Sequence, residues 1–229
     1  MEDFVVVVAR FKEDVSWLTN SDLASHCLIY NKGPPLPDEV CKKCAGVVQL
    51  PNIGREAHTY LFHILQVLDE KASEKIEKNK NKVHVFIQGQ ISDHVGPSFR
   101  KGKEIQFVKK MIKEAQEDAR GLSLNHKAHS VGQNSALEEF RILNHRAKLF
   151  ETNMAFGPWF RTFIDPDFMN PIKPTDVSWY IGALFAVKEN RIREKHDKTY
   201  YENLLKTLSV DTNPESAHFM ERSWYHIFV

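Results

Sequence analysis

The chain lacks most of what would settle its chemistry at once. It has three cysteines, Cys27, Cys41 and Cys44. Pairing would leave one over, so no disulfide framework is expected and a reducing compartment fits better. The apolar run at residues 4–9 is far too short for a signal-peptide core or a membrane span. Met1-Glu2-Asp3 is acidic where a signal peptide is basic, and there is no Asn-x-Ser/Thr sequon. These absences predict a cytoplasmic protein without a transmembrane segment. An excess of charge of one sign is also missing. Lys and Arg number 31 against 30 Asp and Glu, a net charge of +1, so no nucleic-acid partner of the basic-surface kind is expected.

Several catalytic signatures are absent too. There is no P-loop, dinucleotide fingerprint, zincin helix motif or nucleophile elbow. Cys41-Lys42-Lys43-Cys44 is a lone CxxC, and zinc would need two further ligands, from Cys27 or a histidine. His58 and His63 stand at i, i+5, a poor spacing for a shared metal on a helix. His126 and His129 fall in a polar stretch and read as solvated. No internal repeat or low-complexity segment is present.

What the chain does have is a pattern of apolar runs ending in polar residues. Its 229 residues are 42% hydrophobic and 27% charged, enough for a sizeable core in one large domain. Residues 4–9 and 83–87 do not alternate, so both read as parallel strands buried on two faces. Residues 26–30 suit a third strand, and the order strand, short helix, strand is that of a βαβ unit. Asn52, read as an N-cap, opens a helix striped by Ala57, Leu61, Ile64, Leu65, Leu68, Ala72 and Ile76, with Lys75 and Lys78 at its C-terminal end.

Further helices are expected over 102–120, striped by Ile105, Val108, Met111, Ile112 and Ala115, and after a Ser135-x-x-Glu138 capping box, striped by Ala136, Phe140, Leu143, Ala147 and Phe150. Residues 156–176 read as a long irregular stretch carrying Asp165 and Asp167. Residues 179–187 read as one strand, with Gly182 marking a bulge or close approach. Helices around Asn190 and over 200–208 follow. The last, from Glu215, carries Ala217, Met220, Trp224 and Ile227 as its stripe.

Parallel strands bring their C-terminal ends to one edge, where open α/β sheets bind ligands. Arg10 and Asp14 follow the first strand, Asn31 and Lys32 the second, and Gln88, Asp93 and His94 the strand at 83–87. Asn52, Arg55 and Glu56, at the helix opening, can reach the same crevice, where free N–H groups also favour an anion. Mixed positive charge with a carboxylate–histidine pair suits a phosphorylated ligand held with a divalent cation.

The blocks also carry a resemblance. Val8-Ala9-Arg10-Phe11-Lys12-Glu13-Asp14-Val15-Ser16-Trp17-Leu18 resembles the ARYNEDLSWL opening of an uncharacterised domain family. Leu50-Pro51-Asn52-Ile53-Gly54-Arg55-Glu56-Ala57-His58-Thr59-Tyr60-Leu61, Phe86-Ile87-Gln88-Gly89, Gly182-Ala183-Leu184-Phe185-Ala186-Val187 and Glu221-Arg222-Ser223-Trp224 are similar to its later blocks, in order. The family's layout is similar to that of GT-A glycosyltransferases.

That likeness implies one GT-A-like, Rossmann-like α/β domain over 1–229, with a mainly parallel central sheet flanked by helices and a helical C-terminal part. Residues 1–95 would be the nucleotide-binding half and 96–229 the acceptor-side half. It implies a nucleotide-diphosphate-sugar donor, a glycan or other hydroxyl acceptor, and Mn²⁺ or Mg²⁺ at Asp93 and His94. The binding set would be Arg10, Asp14, Asn31, Lys32, Asn52, Arg55, Glu56 and Gln88, with Gly182 and Trp224 from the C-terminal blocks. Glu221 would be the catalytic base, with Asp167 second. The chain departs from the Asp-x-Asp metal pattern, having Gln88-Gly89-Gln90 and only later Asp93, and Phe11-Lys12 replaces the family's usual Tyr-Asn. Two other readings stand beside the transferase: a non-catalytic sugar- or nucleotide-binding domain, and a metal-dependent hydrolase of a phosphorylated substrate.

Overall fold

In the computed structural model, which describes residues 3–69, 80–94, 102–128, 137–142, 154–168 and 171–229, the organising element is β1 (Phe4–Arg10). It is followed by a single helical turn, α1 (Ser16–Thr19), and β2 (Cys27–Asn31), which pairs with β1 in parallel, Val6 opposite Cys27 and Arg10 opposite Asn31. The short α2 (Asp38–Cys41) leads to β3 (Gly46–Gln49), parallel to β2. α3 (Arg55–Asp69) then crosses to β4 (Val83–Gln88), parallel to β1 on its other side. α4 (Glu104–Glu117) follows.

β5 (Lys127–Ala128), α5 (Phe156–Phe163) and β6 (Ser178–Trp179) come next, β5 and β6 forming a small antiparallel pair. β7 (Phe185–Lys188) joins the main sheet, and α6 (Glu189–Lys195), α7 (Lys198–Leu208) and α8 (Glu215–Phe228) complete the described chain. The sheet order is β3-β2-β1-β4-β7, four parallel strands and an antiparallel β7.

The unalternating sequence of β1 has a direct cause: both of its faces are covered. Val6 and Val8 face a core that includes Leu18, Phe107, Val108 and Met111 of α1 and α4. Val7 and Ala9 face the other core, with Tyr60, Leu61 and Ile64 of α3 and Ala217, Met220 and Trp224 of α8. The stripes expected for α4 and α8 are buried as read, with Ile105 half-buried.

Several local expectations change. Residues 179–187 are not one strand: Gly182 at φ 68° and Ala183 at φ 54° turn the chain left-handed, and only Phe185–Lys188 enters the sheet, running against β4. Residues 156–163 of the stretch read as irregular form α5, because Pro158 falls in its first turn, where the missing N–H costs nothing. Asn52 does not cap α3. Gly54, at φ 61°, has the carbonyl that takes the first helical bond, from His58 N–H at 3.0 Å. β3 and α2 had no counterpart in the reading. His126 is packed against the Tyr225 ring, centroids 4.1 Å apart, not simply solvated.

Ala72, Lys75, Ile76, Lys78, His129, Ser135, Ala136, Leu143, Ala147 and Phe150 lie outside the described residues. Glu138, expected in a capping box, instead binds Arg161 and accepts the Ile172 N–H at 3.0 Å. Among the described residues, no helix is long and apolar enough to cross a membrane.

Candidate functional site

The parallel strands end on one cleft of about 240 Å³, lined by Ala9, Arg10, Phe11, Glu13, Lys32, Asn52, Arg55, Glu56, Gln88 and Thr212. β1 contributes Arg10, β2 leads into Lys32, β4 ends at Gln88, and α3 opens with Arg55 and Glu56. The ladder continues past the strands through Lys32 N–H to Arg10 O and Gly89 N–H to Ala9 O, both 2.8 Å, so the cleft wall is paired backbone.

Lys32 is 7% exposed. Its amine donates to Ile53 O at 2.6 Å and to Arg55 O, tying the end of β2 to the start of α3. Burial pulls its pKa down to about 7, against the opposing pull of Glu56. Arg55 itself sits at φ 50°, an uncommon backbone for a side chain with a Cβ. Its guanidinium lies 3.4 Å from Glu56 and donates to Asn213 at 3.3 Å. Gly54 N–H is held by Asp211 O at 2.8 Å, so the connection between α7 and α8 braces the mouth at which Thr212 stands.

Beside the cleft, the Gly182 turn is gripped from two elements. Gln88 Nε2 donates to Gly182 O at 2.8 Å, and Gly182 N–H donates to Glu221 Oε1 at 2.9 Å. A Cβ at residue 182 would meet the His94 ring at 2.5 Å, so glycine is required by contact as well as by φ. Burial raises the Glu221 pKa, Arg222 opposes this, and Glu56 adds to it. Gln88, His94, Gly182 and Glu221 thus form one group adjoining Glu56.

The other expected site residues fall elsewhere or serve locally. Asp14 accepts the Ser16 N–H and hydroxyl, each at 2.8 Å, just before α1. Those bonds, the backbone one first, hold its carboxyl below the usual range. Asn31 is buried under the strand ends, accepting from Arg10 at 2.6 Å and donating to Gly33 O, Pro34 O and Gln49. Trp224 is fully buried against Tyr60 and Phe185. Asp167 is exposed in the turn after α5, where its N–H bonds Asp165 at 3.1 Å, and it does not line the cleft.

Asp93 and His94 approach to 3.6 Å, with Asp93 65% exposed. They offer one oxygen and one nitrogen. Among the described residues no group of three or more His, Cys, Asp or Glu side chains gathers as a metal site. Among the described residues, Asp93 and His94 are thus a pair and not a cluster. The three thiols are free, with Cys27 buried and its thiol donating to Leu23 O at 3.2 Å.

The family described as "Protein of unknown function (DUF3431)" matches residues 5–229, nearly the whole chain. The chain belongs to the DUF3431 family. No curated protein and no solved structure matches it. In this DUF3431 chain, Glu13 and Thr212 are cleft residues that the sequence reading passed over. Glu13 Oε2 accepts from Phe11 N–H at 2.6 Å and Lys12 N–H at 3.1 Å, and the side chain packs on Gly89. The sequence offered one signal for it, a carboxylate three residues beyond the end of a buried strand.

Proposed function

We propose that this DUF3431 protein is a GT-A-like sugar transferase that holds a nucleotide-diphosphate sugar in the strand-end cleft. The observation that carries the reading is that buried Lys32 lines a cleft together with Arg10 and Arg55 at the C-terminal edge of a parallel sheet. An amine and two guanidiniums in a partly water-excluded site suit the charge that develops on a departing diphosphate. The acceptor hydroxyl oxygen would bond the anomeric carbon while the bond from that carbon to the diphosphate oxygen breaks. The electron pair leaves with the diphosphate, and the hydroxyl proton passes to Glu221. Glu221 suits that task, since burial raises its proton affinity and the Gly182 N–H fixes one of its oxygens. Asp93 and His94 would hold Mn²⁺ or Mg²⁺ with the diphosphate, a cation supplying further charge neutralisation.

The test is a melting-temperature screen with uridine and guanosine diphosphate sugars, each with Mn²⁺, Mg²⁺ or a chelator, followed by donor turnover in wild type and Glu221→Gln. Expected are a raised melting temperature with a matching donor and loss of turnover, without loss of binding, in Glu221→Gln. No shift with any nucleotide sugar sinks the proposal. Binding without turnover in wild type favours the second reading, a non-catalytic binding domain, which the absence of a carboxylate in Gln88-Gly89-Gln90 supports.

A further inference from the structure

A chain of buried polar groups runs through the α3-side core. Tyr30 Oη on β2 is 2.9 Å from His63 Nδ1 on α3. His63 Nε2 is 2.9 Å from His84 Nδ1 on β4, and His84 Nε2 is 3.1 Å from Glu189 Oε2 at the start of α6. Glu189 Oε1 takes Arg193 Nε at 2.9 Å. All four linked side chains from Tyr30 to Glu189 are buried.

The proton positions follow from this geometry. Burial disfavours charge on Glu189, but hydrogen bonds from His84 and Arg193 hold its carboxyl below the usual range, so it only accepts. His84 then donates from Nε2 and, being neutral, accepts at Nδ1. His63 must donate from Nε2 and accept at Nδ1, where the Tyr30 hydroxyl donates. With both imidazoles neutral, every link has one donor and one acceptor. One added proton, on His63 Nδ1, is absorbed when the Tyr30 hydroxyl turns from donor to acceptor, but a second places N–H against N–H across a 2.9 Å gap.

We propose that Tyr30, His63, His84 and Glu189 form an acid-sensitive latch, which fastens α3 and the start of α6 to the sheet while both imidazoles are neutral and releases them when both are protonated. This does not depend on the transferase reading. The charged and titratable groups facing the pair are Tyr30, Glu189, Arg193 and Lys82, the last beside Asp3 at 3.9 Å. Glu189 favours a charged His84, but Arg193 already neutralises it. Burial, with His84 and Lys82 acting on His63 and Lys82 and Arg193 on His84, keeps both imidazoles below their ordinary pKa. The same start of α6 is tied to the sheet by Glu189 N–H to Lys82 O at 2.8 Å and Asn190 N–H to Lys80 O at 3.0 Å.

The sign is fixed by the lowered values. Unfolded histidine takes up a proton near pH 6.5, so the latch contributes in full above that pH and is lost as pH falls below it. His58, His218 and His226 are also held near pKa 4 by burial, so the comparison with variants decides. The experiment is urea unfolding from pH 8 to 5 of wild type, His63→Gln, His84→Gln and the double variant, with nitrogen NMR of the native imidazoles. The folding constant of wild type should fall up to about tenfold more per pH unit for each imidazole removed, up to about a hundredfold against the double variant. In native wild type at pH 7.5, both rings should carry their proton on Nε2 alone. A wild-type slope within one proton of the double variant's overturns the latch. Two cationic rings at pH 6 in a protein whose α3 and start of α6 remain packed on the sheet also overturn it, and this readout needs no variant to fold.

Discussion

Lys32 is at once a tie and a charge. Its amine is held by two backbone carbonyls, which leaves one further hydrogen-bonding direction on the nitrogen. With its pKa drawn to about 7 by burial, the amine is cationic below neutrality and loses its proton above it. Affinity for pyrophosphate should therefore be level at low pH and weaken as pH rises through 7, by up to about tenfold per unit. Calorimetric titration at pH 6, 7 and 8 checks this, with Lys32→Met expected to bind weakly at all three and to lose the trend. Tyr60 makes the opposite kind of prediction. It is fully buried among Phe86, Phe185 and Trp224, and its hydroxyl has no hydrogen-bond partner among the described residues. Tyr60→Phe removes an unsatisfied donor without leaving a void, so urea unfolding should show a gain of about 1 kcal/mol.

At the scale of elements, the ends of β1 and β2 approach so closely that a Cβ on Gly33 would lie 1.7 Å from Phe11 O. Gly33→Ala must push these strand ends apart. A loss of about 3 kcal/mol or more in equilibrium unfolding is expected, with weaker pyrophosphate binding, because the cleft walls move with them. This closeness also explains how much was legible beforehand. β1, β2 and β4 announce themselves as unalternating apolar runs, and parallel pairing alone carries Arg10, Lys32 and Gln88 to one edge. Asn52, Arg55 and Glu56 join them because α3 starts at that edge. β3 stayed hidden, since Gly46-Val47-Val48-Gln49 holds only two strongly apolar residues after a Cys-rich turn. The break within residues 179–187 stayed hidden because a glycine in an apolar run reads equally as a bulge. The histidine chain joins residues 21 and 105 positions apart on the sequence, a separation at which periodicity says nothing.

For the molecule as a whole, a buried carboxylate fastens the last helix to residues 141 and 142. Glu215, at the N-terminus of α8 and 1% exposed, accepts from Arg141 at 3.0 and 3.1 Å and from the Ile142 N–H at 2.5 Å. Removing the carboxylate takes its charge away from Arg141 and deprives the Ile142 N–H of the acceptor it holds here. Glu215→Ala should cost about 3 kcal/mol, read from the midpoint of urea unfolding at constant slope. The two flanks of the main sheet differ in kind. On the β7 side, Leu122 bridges to Val187, and the Lys188 amine is bound to Gln116 O at 3.0 Å, so loop and helix close that margin. On the other side, β3 has no strand beyond it among the described residues, and its residues are only partly covered. Among the described residues, growth of the sheet by another chain would start there. Four residues ending in an exposed Gln49 offer few free backbone groups for that, so brevity itself protects the molecule against strand-to-strand aggregation.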